Sequence, residues 1–158
     1  MWEFFTASPE VSVPFNIQNA RPRFSLQRYS RAQDVPMAEA RDILYDQTAM
    51  MHARMLEMGG PDYDVEIHRR AFWDKFDRVL PPYGSYYLAM DDAGVVVGTG
   101  ALRSVRTGVA EMKHLFVAER MRRSGLGRAL VMARLADAQE MGIRTVIADT
   151  FVCNHEMR

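Results

Sequence analysis

Between Phe24 and Ser30 the chain alternates apolar and polar residues (FSLQRYS), the period of a strand with one buried face. The period then lengthens. Asp34 and Pro36 open a helical stretch to about Met58, with Asp34 as its cap and Ile43, Leu44, Met50, Met51 and Met55 on the buried face. GGPDYD, Gly59–Asp64, breaks it, and a second helical stretch over about Val65–Leu80 carries Ile67, Phe72, Phe76 and Leu80. PPYG at Pro81–Gly84 stops that run. SYYLAMDDAGVVVGTGALRSV predicts a hairpin, with strands at Tyr86–Met90 and Val95–Val105 and a turn at Asp91–Gly94. Thr107–Gly108 turns the chain into a strand at Ala110–Val117. A helix from about Leu126 to Met141 stops at Gly142, and TVIADT, Thr145–Thr150, predicts a short buried strand. The strand–helix–strand crossover at the end sets the last two strands parallel. The fold class is therefore α/β, a mixed, mostly antiparallel sheet flanked by helices.

Composition narrows the classes of function. The chain has 158 residues, enough for one domain with a core and short for two. Residues 1–21 mix Pro, Ser, Asn and aromatics without a period and predict an extended arm packing through Trp2, Phe4 and Phe5; residues 22–158 form the domain. Twenty basic residues balance twenty acidic ones, so no global field recruits nucleic acid or an anionic membrane. The N-terminus has no signal-peptide pattern, and no apolar window reaches membrane-spanning length. The single cysteine, Cys153, precludes an intramolecular disulfide framework, and a cytoplasmic location is expected.

One local charge cluster stands out. MRRSGLGRAL places Arg122, Arg123, Ser124, Gly125, Leu126, Gly127 and Arg128 at the start of the helix after Val117. Amide groups in a first helical turn lack intrahelical partners, and glycines let an anion approach the backbone. Arginines add bidentate donors at the rim. Such a loop suits a pyrophosphate. A phosphate loop of the G-x-x-x-x-G-K-[ST] type lacks its lysine here. A dinucleotide loop would use Gly125-Leu126-Gly127 with Asp149 about twenty residues on, but its third small residue falls on Leu130.

The run AEMKHLFVAERMRRSGLGRAL, Ala110–Leu130, resembles the signature of the GNAT superfamily of acetyl-CoA-dependent N-acetyltransferases. The loop pattern [RQ]-x-x-G-x-[GA] is matched by Arg122, Gly125 and Gly127, and the preceding strand by Glu111, Lys113 and Val117. The resemblance covers roughly residues 82–158. It implies acetyl-CoA as cosubstrate and transfer of the acetyl group to a primary amine, on a small molecule or a peptide, by direct attack in a ternary complex. It further implies that the pantetheine arm lies along Leu115, Phe116 and Val117, that an amide near Phe116 or Val117 faces the thioester oxygen, and that Arg123–Arg128 amides seat the pyrophosphate. Asn154 matches an asparagine of the family that helps bind the cofactor. Glu111 is the first candidate base and His114 the second. Strict alternation puts Glu111, Lys113 and Leu115 on one face and Met112, His114 and Phe116 on the other, so the two would act together only if a bulge intervened. In the family a further helix and a closing hairpin follow the last strand and often supply a tyrosine acid. The sequence stops at TFVCNHEMR, just where that helix would begin: either the chain is incomplete, or a partner supplies the missing part, or the catalytic machinery is damaged, and a partner or a homodimer is an expectation.

Other readings stand beside these. A CoA-binding regulatory module that lost turnover would keep the loop, and a dinucleotide-dependent oxidoreductase would need an unbroken parallel sheet. Glu111 is equally a strand carboxylate paired with Lys113 or an arginine. Asp62, Tyr63, Asp64 and Glu66 form either an acidic, aromatic wall for an amine or a plain surface loop. Cys153, His155 and Glu156 are too weak a cluster to assign a metal. His52 and His68 are expected to pack or face solvent.

Overall fold

The computed structural model describes residues 23–150 and Asn154; the arm over residues 1–21 and the Cys153, His155, Glu156 cluster lie outside the described residues. The chain runs β1 (Phe24–Tyr29), α1 (Met37–Glu57), α2 (Val65–Trp73), β2 (Gly84–Asp91), β3 (Val96–Arg106), β4 (Val109–Val117), α3 (Leu126–Glu140) and β5 (Thr145–Ala148). The five strands lie in sequence order in one sheet. β1 to β4 pair antiparallel, and β5 joins β4 in parallel, as the α3 crossover requires. A dinucleotide-binding doubly wound sheet, parallel throughout, is thereby ruled out as this chain's architecture.

Each face of the sheet carries its own core. On one side Ala40, Ile43, Phe76, Val79, Tyr86, Leu88, Ala101 and Phe116 pack under α1 and α2. On the other, Tyr87, Ala89, Val97, Met121, Leu126 and Leu130 pack under α3, with Leu102, Ala110 and Ala138 extending that layer. The period-two alternation of β2 and β3 feeds both layers, so neither face of the central strands meets water.

Local chemistry sets the boundaries, and some differ from the sequence reading. Residues Ala32–Asp34 form a 3-10 turn, and α1 starts later, after Pro36, with no side-chain cap; Asp34 instead accepts from the Arg31 guanidinium at 2.8 and 3.0 Å. Gly59, at φ +74°, and Gly60, whose N–H donates to Met55 O at 2.8 Å, close α1. The second helical stretch divides into α2, capped by Asp64, and a 3-10 turn at Phe76–Val79. The inward side of α2 carries Val65, Arg69, Phe72 and Trp73, spaced i, i+4, i+7, i+8, which leaves Ile67 exposed rather than buried. β5 is an edge strand, and three of its four residues are exposed, so the expectation of a buried strand is corrected.

Candidate functional site

The site begins where the β4–β5 ladder ends. Pairing runs from Val109↔Thr145 to Met112↔Ala148, and past that point Lys113–Val117 pairs with β3 alone among the described residues, its other edge facing a cavity. A cavity of about 470 Å³ fills the divergence. It is walled by Gln47, Thr48 and Met51 from α1, Tyr63 and His68 around the start of α2, Met112–Leu115 from β4, Val131 and Arg134 from α3, and Asp149, Thr150 and Asn154 beyond β5. A second cavity of about 320 Å³ lies toward the helix start and is lined by Met50, Leu115, Phe116, Val117, Met121, Arg122, Arg123, Gly127 and Asn154. Leu115 and Asn154 border both.

Seven of the residues expected to hold the cofactor therefore share one cavity: Leu115, Phe116, Val117, Arg122, Arg123, Gly127 and Asn154. The loop geometry explains the glycine-rich start. Gly125 stands at φ +94° as the N-terminal cap of α3, and Arg123 at φ +63°. A Cβ at Gly127 would meet only Val117 Cγ2, at 3.8 Å, so that glycine leaves the first turn open rather than relieving a clash. The Ser124 hydroxyl is spent on the loop itself: it donates to Met121 O at 2.6 Å and accepts from Leu126 N–H at 3.2 Å. Leu126 is fully buried in the core, and Gly125 and Arg128 are exposed without lining the cavity. Arg122 Nη2 reaches Met50 Sδ at 3.3 Å, tying the loop to α1.

The strand side departs from strict alternation. Ala101 pairs with Lys113 and Thr99 with Phe116, so the single residue Gly100 faces two, His114 and Leu115. His114 takes up the extra residue at φ +52°, a left-handed backbone that costs a non-glycine residue about 1–2 kcal/mol. The bulge reassigns the faces. Met112 packs with the α3-side layer and Leu115 likewise, whereas Phe116 packs under α1. His114 also turns to the α1 side: its ring lies 4.4 Å from that of Phe72, and Nδ1 is 3.3 Å from Gln47 Oε1. His114 and Phe116 thus share a face with Glu111 and Lys113, and the face assignment from alternation is corrected for His114, Leu115 and Phe116.

The two candidate bases differ in environment. Glu111 accepts from Arg103 Nη2 at 2.7 Å and from Lys113 Nζ at 2.9 Å, and does not line either cavity. Burial pushes its carboxyl up, but the hydrogen bonds from Lys113 and Arg103 outweigh it and hold the group below the usual range. His114 borders the larger cavity, and burial, helped by the charges of Lys113 and Arg103, lowers its imidazole to about 4. It is therefore neutral at pH 7.

The acidic-wall expectation resolves into internal pairs. Asp62 bonds His52 Nε2 at 2.9 Å, Asp64 caps α2, and Glu66 pairs with Arg69. Tyr63 alone of the four lines the cavity, its ring edge-on to His52 and His68 at 4.8 and 5.1 Å. His68 thereby enters the site, although nothing in its helical stretch marks it as a site residue. Gln47 and Arg134 were equally hidden, because each meets β4 only through the tertiary fold.

This architecture, a splayed parallel strand pair with a glycine-arginine loop at its open end, is that of acyltransferases. Its comparisons agree. The acetyltransferase (GNAT) family model matches residues 51–158, and the chain belongs to that family. Among solved structures it is similar to a GNAT-family acetyltransferase from Staphylococcus aureus, at 17% identity and a TM-score of 0.63, covering 85% of this chain and 78% of that one. It is also similar to the aminoglycoside N-acetyltransferase AAC(6')-Iy in complex with CoA, at 18% identity and a TM-score of 0.59, covering 88% and 84%. The same enzyme with a CoA-S-monomethyl-acetylneamine bisubstrate analogue matches at 18% and 0.55, covering 85% and 84%. No curated protein is significantly similar in sequence. No described helix is long and apolar enough to cross a membrane, and no cluster of metal-ligating side chains occurs among the described residues.

Proposed function

We propose that the protein transfers an acetyl group from acetyl-CoA to a primary amine by direct attack in a ternary complex. The observation that carries this reading is the end of the β4–β5 ladder at Met112↔Ala148, which opens Leu115–Val117 to a cavity continuous with the arginine-glycine loop. A pantetheine arm has the length and the amide groups to pair with that open strand edge. The pyrophosphate then falls at the N-terminus of α3, where the first-turn amides after Leu126, the helix dipole, Arg122 and Arg123 favour it.

In the larger cavity the amine lone pair attacks the thioester carbonyl carbon, and the C=O electron pair moves onto oxygen. An amide at Phe116 or Val117 stabilises that oxygen. The intermediate collapses with cleavage of the C–S bond, CoA leaves as the thiolate, and the amine's surplus proton ends on that sulfur. Neutral His114 is the better placed of the two candidate proton acceptors, since it borders the cavity and Glu111 is engaged by two cations. Glu111 then serves by holding Lys113. Most of the rate gain comes from orienting the two reactants.

The test is thiol release from acetyl-CoA against a panel of primary amines, with mass spectrometry of the products. Amine-dependent release with one N-acetyl product per thiol supports the reading. Tight acetyl-CoA binding with no transfer to any amine would make the protein a CoA-binding regulatory module.

A further inference from the structure

Arg134 is the largest fully buried side chain among the described residues, and it stands on the inward side of α3 below Leu126 and Leu130. An apolar residue would serve that core as well, because removing a guanidinium from water is costly unless its bonds are specific. Its bonds are specific, and they go to the bulge. Nη1 donates to Ala101 O at 3.1 Å and to Lys113 O at 3.3 Å, while Nε holds Leu130 O at 2.9 Å. Gly100, the residue opposite the bulge, makes the room: a Cβ there would lie 3.1 Å from Arg134 Cζ and Nε.

The other face is held in the same way. Gln47 of α1 donates Nε2 to Leu115 O at 3.3 Å, and its Oε1 meets His114 Nδ1. A peptide unit is planar and trans, so fixing a carbonyl fixes the N–H opposite it. Holding Lys113 O and Leu115 O therefore sets the directions of the His114 and Phe116 amides. Arg134 also makes no ion pair among the described residues, and its Nη2 is buried without a hydrogen-bond partner. A positive charge is thus kept behind the strand on which acyl transfer would build negative charge.

We propose that Arg134 and Gln47 are positioning residues, a two-sided clamp that holds the Lys113–Leu115 bulge in the geometry acyl transfer needs; this rests on the acetyltransferase reading above. Neither residue touches the proposed pyrophosphate seat, so losing the clamp should lower turnover far more than it weakens CoA binding along Leu115–Val117.

Arg134→Met, Arg134→Lys and Gln47→Leu separate these effects, with CoA as the binding probe, thiol release for turnover, and hydrogen–deuterium exchange over Lys113–Val117. Gln47→Leu and Arg134→Met should each lower kcat at least tenfold, leave the Kd for CoA within threefold, and speed exchange in that segment. Arg134→Lys, which keeps the charge but not the fork, should recover part of the loss. Unchanged kcat and exchange in both variants would overturn the clamp, as would a loss of CoA affinity equal to the loss of kcat. Should Arg134→Met not fold, half-buried Gln47 carries the same comparison through Gln47→Leu. If the wild type transfers to no amine, the acetyltransferase reading fails, and faster exchange in the variants still judges the clamp by itself.

Discussion

The two halves of β4 are held by different means. Val109–Met112 is laddered on both sides, by β3 and β5, and Ala110 is sealed within the α3-side core. Among the described residues, Lys113–Val117 has one backbone neighbour, a bulge, a left-handed residue, and side chains from α1 and α3 in place of a second ladder. The first half contributes stability. The second holds open an edge that a ligand can occupy, and pays for it with a strained residue and a buried charge. The proposed chemistry sits where the ladder stops.

Perturbing the laddered half should reduce stability and leave chemistry alone. Leu102→Ala empties a fully buried site opposite Met112 and should cost about 2–5 kcal/mol in chemical denaturation, with kcat per folded molecule unchanged. A fall in kcat there would erase the distinction between the halves.

The bulged half should respond to acid. His114 is lowered to about 4 in the fold, so between pH 6.5 and 4 the unfolded chain takes up a proton that the native chain does not. Stability should therefore drop as pH falls through that window, by about 3 kcal/mol, and His114→Gln should flatten the profile. Turnover should stay on a plateau down to about pH 5 as far as His114 is concerned. An inflection near 6.5 would contradict its burial.

Glu111 sharpens the division of labour. Glu111→Gln should lower kcat by less than about tenfold, since the carboxylate holds Lys113 and Arg103 and does not face the cavity. A loss of 100-fold or more is what removal of a general base brings and would restore Glu111 to that role. The smallest effect should come from Asp62→Asn, which breaks an exposed pair with His52 and should shift stability by under about 1 kcal/mol.

Much of this was legible in the sequence, and what was not has a physical cause. Periodicity and turn residues located every strand, and the arginine-glycine run marked the α3 start, because helix-start chemistry is local. The face of His114 was not legible. Alternation counts residues, a bulge adds one, and its only trace was Gly100 on the neighbouring strand. Nothing local marks Arg134, since its partners on the sheet lie 21 and 33 residues away. Ile67 belongs to a stretch that reads as one long helix, whereas the short α2 turns it outward and buries Arg69, whose guanidinium lies over the Tyr45 ring at 3.9 Å.

The measurement that bears most directly on the central claim is calorimetric titration of the wild type and of Gly127→Glu with acetyl-CoA and, separately, with NAD. Gly127 lines the proposed pyrophosphate seat and has room for a side chain, so the substitution adds a carboxylate to an anion site without forcing the fold. The wild type should bind acetyl-CoA and not NAD, and the variant should lose at least 100-fold in affinity with its melting temperature preserved. Equal acetyl-CoA binding by both proteins, or binding of NAD alone, would contradict the central claim.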